Sequence, residues 1–272
     1  MLKKLAQKNS AKFVLGPQTY GPFDNKIAQY IAKKIIEKTN YTCSRDTTSA
    51  EYLKRLYKIN IDVFTDVAFA LPYQNNHILE SSDNKRKIGI NVSGLLWNGG
   101  YTKNNQFGLK VDYCSYITEL IQQLLKTDNT DIYLIPHVIS SSGANPECDY
   151  NVSEMLIKQF PSLKLAPKFH SPIEAKNFIS EMDIFTGARM HATIGAFSSG
   201  VTTIPFSYSR KFEGLYNSIG YPYTINAQKL DTPTAIKQTL EFINNSDILR
   251  SSQTAAYSII QSKLSLFEAK TA

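Results

Sequence analysis

The chain has 272 residues, 42% of them hydrophobic and 19% charged, enough for one large α/β domain or two smaller ones with buried cores. Thirty Lys and Arg against 23 Asp and Glu give a formal net charge of +7, which favours anionic partners such as phosphorylated metabolites or an acidic lipid surface, or serves solubility alone. There is no Cys/His finger spacing, RNP-like motif or Arg-rich helix, so no nucleic-acid partner is expected, and no run approaches the ~20 apolar residues of a membrane span.

Short β-branched runs alternate with longer helical periodicities, the pattern of an α/β layer fold. Residues 12–15 predict a strand, followed by the turn-rich Gly16-Pro17-Gln18-Thr19-Tyr20-Gly21-Pro22. Apolar residues at Ile27, Tyr30, Ile31 and Ile35, with lysines opposite, predict an amphipathic helix over 24–38. A short strand at 42–44, a helix over 48–57 and a strand at 62–64 complete the first region, which 68–72 closes. The polar stretch 74–87 reads as an interdomain linker.

Beyond it, 88–92 is a strong strand, followed by a Gly/Asn-rich loop around Trp97-Asn98-Gly99-Gly100, a helix over 113–125 and a strand over 131–136. Further αβ units are expected at about 151–165, 172–186, 189–205 and 211–225, and a helical tail at 247–269. The expectation is α/β with two Rossmann-like, doubly wound domains: a partial amino-terminal domain over 1–82, a carboxy-terminal domain over 83–250, and a carboxy-terminal helix over 251–272. The amino-terminal domain reads as incomplete, with about three strands before the linker and no glycine-rich strand–turn–helix near Met1.

Cys43, Cys114 and Cys148 have no metal-ligand spacing and fit free thiols in a reducing cytoplasm. Four scattered histidines, without HExxH or clustered carboxylates, predict no metal site. Walker A and GxSxG motifs are absent, which argues against phosphate-loop nucleotide hydrolysis and serine hydrolase chemistry.

The most informative stretch is Gly187-Ala188-Arg189-Met190-His191, between the apolar run 182–186 and a helix starting near Ala192. Ligands of open α/β sheets bind at the carboxyl ends of strands, and a helix N-terminus there offers N–H groups and partial positive charge to an anion. An Arg adds a fork for carboxylate or phosphate, and a His can carry a proton at neutral pH. The cluster asks for a small, highly charged anion.

Six pieces in register across nearly the whole length carry a resemblance. They are Gly16 to Pro22, Ser44-Arg45-Asp46-Thr47-Thr48-Ser49, Asp66-Val67-Ala68-Phe69-Ala70-Leu71, Ile135-Pro136-His137-Val138, Asp183 through Gly195, and Ile204 through Lys211. With these, the chain resembles the polysaccharide pyruvyl transferase family, although the family's glycine-rich leading segment is absent. The resemblance implies a GT-B-like architecture whose carboxy-terminal domain binds the donor, phosphoenolpyruvate. Its pyruvyl unit goes as a ketal to a sugar of a cell-surface glycan precursor, lipid-linked or nucleotide-linked, with release of phosphate and no cofactor. It further implies a cytoplasmic setting, with peripheral association at the inner face of the membrane compatible with the basic charge.

The resemblance carries donor binding onto Arg45, Arg189, Arg210 and Lys211, with a surface or interdomain salt bridge as the bland alternative for each Arg. It gives His191 the delivery of a proton to the methylene carbon, or simple binding of the phosphate. His137 and Asp149 hydrogen-bond the acceptor or order a loop, and Gln18 lines the cleft or belongs to a tight turn. Glu213 is a candidate base or a solvated helix position. Trp97 suits stacking on a sugar ring, and burial at a domain seam accounts for it equally. His77 and His170 read as surface histidines. Two rival functions remain: a GT-B glycosyltransferase with a nucleotide-sugar donor, and a truncated non-catalytic relative.

Overall fold

The structure is a computed structural model that describes residues 12–75, 79, 85–140 and 145–271. The chain divides into two units: residues up to Val67 with Gly214–Gly220 and Ser258 onward, and Ala68–Glu213 with Tyr221–Tyr257.

In the first unit, β1 (Val14–Gln18), β2 (Tyr41–Ser44) and β3 (Asp62–Val63) form a parallel sheet in that order. Helices α1 (Lys26–Ile36) and α2 (Thr47–Tyr57) make the crossovers. Asn25 sets the start of α1 by accepting from the N–H of Ala28, and Asp46 does the same for α2 through Ser49. The apolar stripe of α1 faces outward, with Ile27 72% exposed. Ile36, roughly 180° around the helix, is its buried residue. Tyr20, Ile36 and Leu53 are buried at the centre of this unit's core.

The second unit carries β4 (Arg86–Asn91), α3 (Gly94–Trp97), α4 (Tyr113–Leu124), β5 (Thr130–Leu134), α5 (Asp149–Gln159), β6 (Lys164–Leu165) and α6 (Pro172–Ile179). There follow β7 (Ile184–Gly187), α7 (Met190–Ser198), β8 (Thr202–Ser207), α8 (Arg210–Ser218), β9 (Ile225–Asn226), α9 (Thr232–Asn244) and α10 (Ser246–Thr271), of which α8 from Gly214 and α10 from Ser258 are counted with the first unit. Its six strands are parallel in the order β6-β5-β4-β7-β8-β9, the doubly wound order whose switch point lies between β4 and β7. The expected loop at 97–100 begins inside α3, which Ser93 caps, and α9 occupies a segment to which the sequence reading assigns no element.

Helices on both faces explain the near-continuous apolar runs of these strands. Ile88, Ile90 and Val92 join Ile132, Leu134 and Ile184 in one buried cluster with Tyr116 and Leu120 of α4. The alternate residues Tyr133, Ile135 and Phe185 meet Phe178, Ile179 and Ala192 on the other face. Gly89 fits that second face because a Cβ there would lie 2.9 Å from both Ile135 and Phe185.

Gly94, at the start of α3, abuts the main chain of Cys148: a Cβ would fall 2.6 Å from that carbonyl oxygen. Gly94→Ala therefore has to displace backbone, and we expect a loss of about 1–3 kcal/mol. An unchanged urea midpoint would show that the junction yields freely.

Candidate active site

Strands β4 and β7 end side by side, with Asn91 paired to Gly187. The missing side chain at Gly187 makes room for Asn91, since a Cβ would sit 2.7 Å from that of Asn91. The Asn91 amide donates to the Ile135 carbonyl at 3.0 Å and to Asp149 Oδ2 at 3.2 Å, while its oxygen accepts from the Arg189 N–H at 3.0 Å. One fully buried amide thus joins the ends of three strands. Sequence reasoning missed it, although an Asn inside an apolar strand was the available signal.

Asp149 opens α5 and is buried. Its Oδ1 accepts from the Gly94 N–H at 2.9 Å and from Arg189 Nη2 at 2.8 Å. Oδ2 accepts from the N–H groups of His137 (3.2 Å) and Val138 (3.0 Å). Arg189 Nε completes a two-pronged contact at 3.1 Å, and Nη2 also donates to the Glu147 carbonyl at 2.7 Å. With its oxygens engaged in this way, Asp149 anchors a loop, a helix start and an Arg. Burial works against the charge of Arg189, but the Asp149 carboxylate outweighs it and the guanidinium is held charged.

Arg189 occupies the N-cap of α7 in extended conformation, without a side-chain capping bond. Arg189 therefore does not cap the helix with its own side chain, and the positive end of α7 favours an anion at this corner. His191, one residue into the helix, is exposed.

His137 lies beyond β5, and its Nδ1 is shielded from solvent with no hydrogen-bond partner among the described residues. Burial pushes its pKa down to about 4; Asp149 opposes that shift, while His191 and Arg189 reinforce it. Of the predicted residues, Arg189, His191 and Asp149 are therefore all within electrostatic reach of His137. Tyr208 belongs to the same neighbourhood: burial raises its pKa, Arg189 lowers it, and Asp149 raises it again.

The remaining predicted residues are placed differently. Arg45 is buried in the first unit, where it donates to Asp66 at 2.5 Å and to Thr19 at 2.9 Å. Gln18 is the last residue of β1, outside the expected loop, and its amide donates to the Tyr20 hydroxyl at 3.0 Å. Arg210 and Lys211 open α8 after β8, half-buried and exposed respectively. Glu213 accepts from the Asn226 amide and from Lys229 at 2.9 Å, so it is tied to neighbours. His170 is exposed, and His77 lies outside the described residues. Cys43, Cys114 and Cys148 are free thiols. Among the described residues no group of three or more side chains could hold a metal, and no helix is long and apolar enough to cross a membrane.

Two stability predictions follow from this geometry. Removing the buried carboxylate in Asp149→Ala strands the Arg189 charge, and we expect a loss of about 3–5 kcal/mol in urea unfolding. A loss under about 1 kcal/mol would deny Asp149 its anchoring role. His137 is neutral in the fold but titrates near 6.5 once unfolded. Its contribution is therefore complete above about pH 6.5 and falls away as the pH drops toward 4, by about 3 kcal/mol in all. His137→Asn should flatten the stability–pH curve in that window, and an unchanged slope would refute the assignment.

The family model for polysaccharide pyruvyl transferases matches residues 1–210. No curated protein matches by sequence. Among solved structures, an α,α-trehalose 6-phosphate synthase from Burkholderia multivorans aligns with TM-score 0.62 and 8% identity over 99% of this chain and 65% of its own. A UDP-forming α,α-trehalose-phosphate synthase from Burkholderia vietnamiensis gives 0.57 and 8% over 99% and 69%. The UDP complex of MnaA from S. aureus gives 0.53 and 12% over 91% and 64%. The chain thus spans about two thirds of these proteins, and at such identities the likeness is one of GT-B fold. With the family model covering more than three quarters of its length, the chain belongs to the polysaccharide pyruvyl transferase family.

Proposed function

We propose that this chain transfers pyruvate from phosphoenolpyruvate to two hydroxyls of a sugar in a cell-surface glycan precursor, forming a cyclic ketal and releasing phosphate. Its family supports the reaction class. The observation that carries the reading to particular residues is the N-terminus of α7 at the carboxyl end of β7, with Arg189 locked beside it and two histidines in electrostatic contact.

In this reading the donor's negative charge rests on the first N–H groups of α7 and on Arg189 Nη1, the guanidinium nitrogen engaged by neither Asp149 nor Glu147. Arg210 and Lys211, after the neighbouring β8, add positive charge. Arg45 and Gln18 belong to the same proposal through the family motifs that contain them. His191 gives a proton to the methylene carbon, so positive charge develops at the adjacent carbon and a sugar hydroxyl attacks it. The second hydroxyl then displaces phosphate. Of the two hydroxyl protons, one restores His191 and the other leaves with the phosphate. Preorganised N–H groups and cations hold the anion throughout, without reorganising as charge moves. The acceptor is lipid-linked or nucleotide-linked, and the setting is the cytoplasm with peripheral contact at the membrane's inner face.

The direct test incubates the protein with phosphoenolpyruvate and a panel of lipid-linked sugars, following products by mass spectrometry and phosphate by colorimetry. Ketal-bearing sugar matched by phosphate supports the reading, and no product across the panel counts against it. His191→Gln should bind phosphoenolpyruvate normally by calorimetry while phosphate release falls about 10²–10⁴-fold. Near-normal turnover in that variant would remove His191 as the acid.

A further inference from the structure

The proposed chemistry leaves one aromatic side chain unused. Trp97, the only tryptophan of the chain, lines a cavity of about 350 Å³ with Gly99, Leu109, Lys110, Asp112 and Cys114. It closes α3, the short helix whose first N–H is held by Asp149. Tyr113, also part of the lining, accepts from the Ser93 N–H at 2.9 Å and lies within electrostatic reach of Asp149 and Arg189. Nearby, Phe107 meets Tyr208 edge-on with ring centroids 5.0 Å apart. The cavity is therefore a neighbour of the Arg189–Asp149 pair, on the same carboxyl-end side of the sheet.

Its lining combines an apolar ring with a polar rim. Trp97 is half-buried, so part of its indole is open to a ligand, and a tryptophan of this kind offers an apolar face together with one N–H donor. The ammonium of Lys110 is exposed and unpaired among the described residues. Asp112 uses Oδ1 to cap α4, which leaves Oδ2 to accept from a ligand. A pyranose ring has the matching character, with an apolar C–H face and a rim of hydroxyls. The volume lies at the lower end of ligand pockets, which suits one sugar ring better than a whole nucleotide sugar.

We propose that this cavity is a carbohydrate subsite that holds a pyranose ring of the acceptor against Trp97. That the ring belongs to the acceptor rests on the transferase reading; that the cavity binds a sugar does not.

Because the chain has one tryptophan, its fluorescence reports on this cavity alone. The probes are methyl β-galactopyranoside, methyl α-mannopyranoside and the methyl glycoside of N-acetylglucosamine, with glycerol as control. A saturable emission change with at least one glycoside and none with glycerol is expected. Saturation-transfer NMR should show that glycoside bound about tenfold more weakly by Trp97→Ala and equally well by His191→Gln. If Trp97→Ala does not fold, Trp97→Phe and the surface change Lys110→Glu take its place, and each should weaken binding.

Silence of Trp97 toward all three glycosides overturns the subsite. So does unaltered binding in the folded variants, or loss of binding in His191→Gln instead. Glycoside binding without turnover on any acceptor keeps the subsite and discards the transferase reading, whereas turnover with a silent Trp97 does the opposite.

Discussion

The ion pair between Arg189 and Asp149 is the constraint on which the candidate site depends. A buried pair of this kind adds little net stability over an apolar substitute, because both charges lose their hydration. Its value here is positional. The carboxylate gathers main-chain N–H groups from α3 and from the loop after β5, and through Arg189 it fixes the point where β7 becomes α7. Asn91 repeats the same stitching with a neutral group, tying Asp149, Ile135 and the Arg189 backbone together. Three segments far apart in sequence are thereby held at one spot before any ligand arrives, the preorganisation that electrostatic catalysis requires.

The two histidines of this site have contrasting surroundings. His191 is exposed on the first turn of a helix, whereas His137 is enclosed and kept uncharged by burial together with nearby cations. The proposed proton donor is the exposed ring, while the enclosed one stays neutral beside Arg189.

Much of this was legible in the residues. Parallel strands buried on both faces read as unbroken apolar runs, so β4, β5, β7 and β8 stand out, as do the amphipathic α1 and α4. The segment of α9 carried weaker periodicity, and its cap at Asp231 with Pro233 behind it was the better sign. Arg189 and His191 were visible because a strand–helix junction has a known use. The direction of the guanidinium was not, because its partners Asp149 and Glu147 lie in a separate αβ unit. Asn91 stood out as the one amide in an apolar strand, but its partners did not, because a hydrogen-bond network is a property of three-dimensional neighbours.

The larger sheet finishes on both sides in strands of two residues, β6 and β9. Unpaired main-chain donors and acceptors along a rim are what allow a parallel sheet to recruit another chain and grow. Such stubs give an intruding strand almost no ladder to extend. The hydrophobic interior strands that give this unit its rigidity are thus kept from becoming templates for aggregation.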